Sequence, residues 1–546
     1  MPQIRKDAYP ARGMVLAALC WTLLTGSWCP AAPGPAAAAK TDELPLKDRV
    51  SQYGITWTFE SPAPVGQFIN GDYYVVGPVT VKMISPKPQF GSEVSVPKGA
   101  DNIDEPPYDG KLARNGSTLN LPAVVSPDAT TSRTHRSGFD SRMPMLAYDP
   151  GQYTPLPIAM KPGDSLVSSS SAPPPCNGYP IKSVAILTCM AEPQPKDAFR
   201  PSFCQTATCP PYQAGSLRRD LLLRLPVPEE GSKVKPGDYA EYFQEPWIDT
   251  VYGGRAMPRK KFAFYGSQIA ELGGAATLLL LLDYPAEDKE SLLINMVQTG
   301  IDLFGLLRGG GEWHAEGGGN AGRKWLILFA GLMLDDAQMY DMGKSPIHGR
   351  FHEDEQTQFC PVEYDGRTFE SGWTGSRVIW TGHYGYFRGQ FSHARKPMNH
   401  YGPVDLFPPS EWPGPWSEGS EGYRRNATSS SWVAQALAAR LMNAEPYWDH
   451  DAFFAYVDRW MTEDDTKFMG ILMQNMEEKL AAAQTEEDKR NLEAVKDKIS
   501  KAAWSGTVTN RPELVELVKK LWQTHRNNLP AAKDVKVRPR DTETWK

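Results

Sequence analysis

The chain is predicted to be a multidomain α+β protein: a β-sandwich-like domain, then an α/α toroid (incomplete barrel) of helical hairpins, then a charged helical C-terminal appendage. Three observations predict this order. Short runs of apolar–polar alternation, separated by Gly/Pro turns, fill residues 45–225. Over 235–465 apolar residues recur at helical spacing, on helices apolar around much of their circumference. Residues 466–546 carry charged helical patterns and a polar end. A length of 546 residues, 41% hydrophobic and 22% charged, suits a globular protein of two or three domains.

Residues 1–40 stand apart. Arg5, Lys6 and Arg12 lie before or at the edge of the short apolar run MVLAALCWTLLTG (14–26), and PAAPGPAAAAK follows with small residues. This is the pattern of an export signal. The run is short for a membrane span, and no later stretch is apolar enough for one. The expected location is secreted or periplasmic, with no membrane contact after signal removal. Export permits disulfides. Cys176, Cys189, Cys204 and Cys209 cluster, so one or two local bridges are expected there, and their spacings match no zinc motif. The formal net charge of −6 argues against a generally basic nucleic-acid binder.

In the first half, ITWTF (55–59) alternates. FINGDYYVV (68–76) places Asn70-Gly71 between apolar flanks, a hairpin signal. PVTVKMI (78–84), MLAYD (145–149), LPIAM (156–160) and SVAILTCM (183–190) are further strands, and SSSSAPPPCNGYP (168–180) reads as turn. In the second half, helices are expected over 261–282, 290–309, 323–336, 429–442 and 449–461, with charged helices over 475–526.

Chemistry concentrates between His314 and His400, which hold six of the nine histidines. Residues 308–325 (RGGGEWHAEGGGNAGRKW) contain seven glycines, which let backbone approach a ligand closely. The stretch runs into a helix at Arg323, whose N-terminal N–H groups favour an anion. Trp313 offers a flat face for a sugar, His314 and Asn320 hydrogen bonds, and Arg323 a carboxylate fork. From Ser371 to Val404 there is no Asp or Glu. Trp380, Tyr384, Tyr386 and Tyr401 are interleaved there with His383, His400, Arg388, Arg395 and Lys396, a basic aromatic surface that fits an anionic polymer of rings. Single-stranded nucleic acid would stack on it; export favours an acidic polysaccharide. HEDEQ (352–356) reads as a solvated turn, with a Ca²⁺ ion near Glu353 and Glu355 as the alternative. The run 416–432 ends in Ser/Thr cap candidates for the next helix, and Arg424, Arg425 and Asn426 are placed as further cleft-facing candidates.

The apolar hairpins at 261–309, the Gly-rich loop leading into GRKWLILFAGLML (322–334), HYGYFRGQ (383–390) and the helix pair at 428–461 together resemble the α/α-toroid polysaccharide lyases, the alginate-lyase and heparinase-like group. The resemblance covers roughly 260–460. It implies β-elimination in a uronic-acid polymer, without a cofactor. Such a site neutralises the uronate carboxylate so that charge can develop as C5 loses its proton; a base takes that proton, and an acid protonates the departing oxygen. Carried onto this chain, Asn320 and Arg323, with His314, would meet the carboxylate. His383 or His400 would be base, Tyr384 or Tyr386 the phenol, and Arg388 a second clamp. Trp313 and Trp380 would be sugar platforms, with Arg395, Lys396 and Tyr401 binding the polymer.

Two alternatives belong to other classes. An inverting glycoside hydrolase needs two carboxylates about 6.5–9.5 Å apart, and Glu312, Glu316, Asp335, Asp336 and Glu355 are available. A non-catalytic carbohydrate-binding surface protein would use the aromatics but has no need of clustered histidines.

Overall fold

Alternation at Ile55, Trp57 and Phe59 becomes β2 (Ile55–Gln67), the strand on which the N-terminal half is built. The computed structural model describes residues 44–88, 115–122, 126–128, 133–135, 153–171, 181–204, 211–248, 266–315, 317–342, 351–364, 366–383, 404–412 and 420–526. The signal-like segment, MLAYD and the last twenty residues lie outside them.

β2 outruns its predicted length because it changes partners midway. Thr56–Phe59 pair with β4 (Val79–Ser85), and Val65–Gln67 pair with β3 (Tyr73–Val76). Pro62 and Pro64, which cannot donate to a ladder, fall between the two pairings. β1 (Leu46–Gln52) also pairs with β2. The predicted hairpin forms: Gln67 pairs with Tyr73, and Gly71 takes φ +89° in the loop between them. With β5 (Gly116–Leu119), β8 (Ile158–Met160), β9 (Ser165–Ser171) and β10 (Ile181–Met190), the order is β5-β9-β10-β3-β2-β4-β8. Only the β3–β10 pairing in this sheet is parallel. β6 (Ser126–Asp128) and β7 (Arg133–His135) pair separately.

This is a single mixed sheet curled into a half-barrel, and not the two-sheet sandwich the alternation predicts. Its concave side holds Trp57, Phe59, Val65, Val75, Val81, Met160, Leu166 and Leu187. Trp57 Nε1 donates to Ser168 Oγ across the curl at 2.9 Å. Strand alternation sends Leu166, Ala185 and Leu187 inward and Val167, Val184 and Ile186 to the opposite face. Those three join the core of the helices, which runs from the sheet to Trp522. Arg200 ties the halves together, bonding Asp72 at 2.6 Å and Asp302 at 2.5 Å with all three side chains buried.

The helices are α1 (Pro236–Gln244), α2 (Gly266–Leu281), α3 (Ala286–Arg308), α4 (Arg323–Leu334), α5 (Ala337–Tyr340), α6 (His352–Gln356), α7 (Ser430–Leu441), α8 (Glu445–Trp448), α9 (Asp451–Thr462), α10 (Asp465–Ala482), α11 (Glu486–Ser500) and α12 (Pro512–His525). All of α2 except Gln268 is buried, as its lack of a polar stripe predicts. Glycines set two close crossings. A Cβ on Gly274 would lie 2.3 Å from Gln435 N of α7, and one on Gly300 would lie 2.6 Å from Leu326 O of α4. No helix among the described residues is long and apolar enough to cross a membrane.

The C-terminal appendage needs correction. α11 is mostly exposed, but α12 buries Leu514, Leu517, Val518, Leu521 and Trp522, one face of a helix. Asn510 bonds the buried Glu271 through N and Nδ2, at 2.8 and 2.9 Å. The expected disulfide cluster loses one member, because Cys189 is a free thiol inside the half-barrel; burial, then Asp164, pushes it up to about 12. Cys176 and Cys209 lie outside the described residues.

Candidate functional site

The Gly-rich loop begins where α3 ends. Gly309, Gly310 and Gly311 N–H groups close that helix on Gly305, Leu307 and Leu306 carbonyls. Trp313 then bridges to Phe351, rings 5.8 Å apart and nearly parallel. The loop ends at Gly322, which only glycine can occupy: φ is +92°, and a Cβ would lie 2.5 Å from Ala270 N. Gly322 N–H donates to Glu353 Oε1 at 2.7 Å. The N-terminus of α4 thus meets an acidic side chain, but an internal one.

That side chain belongs to HEDEQ, and here the expectation of a solvated turn fails. All of α6 is buried, because each side chain has a partner elsewhere in the fold. Glu353 also accepts from Gln435 at 3.1 Å. Asp354 accepts from Lys324 at 2.6 Å and Trp448 Nε1 at 3.0 Å. Glu355 accepts from Ala315 N at 2.6 Å and meets His314 Nδ1 at 2.7 Å. Gln356 Nε2 donates to the carbonyls of Gly317 and His383, at 2.9 and 3.0 Å. Burial, then the Arg323 charge, pushes His352 down to about 3, so that ring is neutral. Burial raises Glu353. Burial also acts to raise Asp354, but Lys324 and His450 outweigh it and the carboxyl ends below its ordinary range. The carboxylates diverge toward separate donors, so Glu353 and Glu355 do not form a calcium site. Among the described residues no group of three His, Cys, Asp or Glu is arranged to hold a metal.

Residues 371–383 of the acid-free segment are described. β14 (Val378–Trp380) pairs with β11 (Thr357–Phe359), which directly follows α6. β12 (Val362–Tyr364) and β13 (Arg367–Phe369) form a small hairpin between them. Trp380 is fully buried and donates to Gln356 Oε1 at 3.2 Å. His383 O accepts from Gly317 N at 2.9 Å and from Gln356. The two stretches singled out from sequence therefore meet, with HEDEQ joining them.

Their side chains are placed less as expected. Trp313 and Trp380 are interior, and neither ring has a face open to a sugar. Arg323 is also fully buried, with Nη1 donating to Ala321 O at 2.8 Å, so it holds the loop and not a substrate. Asn320 is half-buried, and its amide donates to His314 O at 2.8 Å. His314 lies between Glu355 on Nδ1 and Glu312 on Nε2, which leaves no ring N–H directed at a uronate carboxylate. His383 is 6% exposed. Tyr384, Tyr386, Arg388, Arg395, Lys396, His400 and Tyr401 lie outside the described residues.

Tyr423 was not singled out, and Glu312 and Glu355 were named only for other roles. Tyr423 meets the His383 ring edge-on, centroids 4.4 Å apart. It opens a π-helix, Tyr423–Ser429, that runs straight into α7, so the Ser/Thr run caps nothing. Instead Thr428 and Ser429 hydroxyls turn back to Arg424 O, at 2.8 and 2.5 Å. Arg424 and Arg425 are buried against Glu421 and Asp465, and neither faces solvent. Short π segments are frequent at functional sites. Glu312 stands two residues from His314, a visible signal; Glu355 is 41 residues away, and only the fold brings it there. No protein-family model, curated protein or solved structure matches the chain.

Proposed function

We propose that the chain is an exported polysaccharide lyase that cleaves a uronic-acid-containing polysaccharide by β-elimination, its helical half arranged as an α/α toroid. The observation that carries this is the junction of Gly317, Gln356 and His383. It brings the glycine-rich loop against the start of the acid-free aromatic segment, where an anionic polymer would meet both. The half-exposed Asn320 amide has a second N–H for the uronate carboxylate. His383 or His400 takes the C5 proton, and the cations of 384–401 bind the polymer as the sequence predicts.

Lyase chemistry is favoured over inverting hydrolysis for a geometric reason. Of the five carboxylates available to a hydrolase, Glu312 and Glu355 stand on either side of His314, whose ring fills the space between them. An inverting hydrolase needs that space for its water.

The test is incubation of the full chain with alginate, glucuronan, hyaluronan and heparin, following ultraviolet absorbance of unsaturated uronate. Growth of that absorbance with one polymer is expected. Reducing ends released without absorbance would replace the lyase with a hydrolase, and binding without any product would leave a carbohydrate-binding protein.

A further inference from the structure

His314 carries two carboxylates, and the three side chains form a file from core to solvent. Glu355 is 3% exposed, His314 18% and Glu312 23%. Glu355 accepts from Ala315 N at 2.6 Å through one oxygen and meets His314 Nδ1 at 2.7 Å through the other. With Glu355 as a carboxylate, which only accepts, Nδ1 carries the proton of that bond and Nε2 faces Glu312. Nε2 is hydrogen-bonded to Glu312. A single proton on that line belongs either to an imidazolium or to a Glu312 carboxyl. The neighbouring ring does not compete, since His352 is held neutral by burial.

We propose that Glu312, His314 and Glu355 are the proton relay that supplies the leaving group, with Glu312 as the acid, His314 as the proton store and Glu355 as the positioning residue. The proposal rests on the lyase reading above. In the step, the C5–H electron pair becomes the C4=C5 double bond and the C5 proton passes to the base. The C4–O pair leaves on oxygen, and the Glu312 carboxyl proton completes the new hydroxyl. Glu312 is left as a carboxylate beside a neutral His314; a proton from water then refills the Nε2–Glu312 line, and the base gives up the C5 proton to water. No co-reactant is consumed. The arrangement selects its substrate class, because a uronate carboxylate beside Glu312 disfavours a second negative charge and moves the shared proton onto Glu312. A neutral sugar gives no such push.

Kinetics and nitrogen-15 histidine NMR of the full chain test this. Glu312→Gln is expected to lower kcat by about 10²–10⁴-fold with little change in KM. Glu355→Gln keeps an acceptor for Ala315 N–H but removes the charge behind the ring. That loss lowers the proton affinity of His314, so the alkaline limb of the kcat profile moves to lower pH; a merely structural Glu355 would leave the limb in place. Without substrate, the His314 Nδ1–H signal is expected in the unmodified chain and is weakened in Glu355→Gln. Wild-type kcat in Glu312→Gln, or an unprotonated Nδ1, overturns the relay alone. Inactivity of the unmodified chain on every polymer overturns the lyase reading instead.

Discussion

Replacing Gln356 with leucine tests whether the two stretches are held by one side chain. Leucine is close in volume, so packing changes little, but three hydrogen bonds disappear. His383 O keeps the Gly317 N–H. Gly317 O loses its 2.9 Å donor and Trp380 Nε1 loses its 3.2 Å acceptor, both in a position with no exposure at Gln356 or Trp380. Each buried group left without its partner costs about 1–3 kcal/mol, so the variant should lose roughly 2–6 kcal/mol. Urea denaturation measures the total, and hydrogen exchange at Gly317 N–H reports whether the loss is local. Gln358→Leu, two residues on and half-exposed in β11, should change stability by under about 0.5 kcal/mol. If Gln356→Leu unfolds at the same urea concentration as the parent and Gly317 exchanges no faster, the junction is held by something else.

Gly322→Ala forces a side chain both into positive φ and onto Ala270, whereas Gly366→Ala at φ +71° meets open space. The first should be destabilised beyond the second by about 1–3 kcal/mol in thermal melts. His352 refuses a proton in the fold, at about 3, that the unfolded chain accepts near its ordinary 6.5. Its contribution is therefore complete above pH 6.5 and is lost as pH falls toward 3, by about 1.4 kcal/mol per pH unit. His352→Gln should flatten that part of the stability–pH curve, and an unchanged slope would contradict a buried neutral ring. Leu517→Ala should cost about 2–5 kcal/mol if α12 is core; a loss under about 0.5 kcal/mol would return the tail to an appendage.

The long apolar helices were legible because no tertiary competition disturbs a fully buried helix such as α2 or α4. What failed did so where a distant partner changes the meaning of a local pattern. Residues 168–171 read as turn, yet they belong to the strand β9, whose hydroxyls pair with its neighbours, Ser168 with Ser117 at 2.6 Å and Ser170 with Ser183 at 3.0 Å. HEDEQ reads as solvated because five polar residues in a row have no local reason to be buried; their reasons are Gly322, Lys324, His314 and Gly317, none of them adjacent in sequence. Trp313 and Arg323 share the residue types of a ligand loop with those of a loop that packs on itself, and composition does not separate the two. The encounter of the loop with the acid-free segment was legible from crowded histidines and the missing acids. The link through Gln356 was not.

Hydrogen exchange with and without saturating uronate oligosaccharides, drawn from the same four polymers, bears most directly on the idea of one shared site. Slowed exchange together over 309–322 and 378–383 with one oligosaccharide is the predicted result. Slowing confined to the half-barrel, or none with any of them, would contradict it.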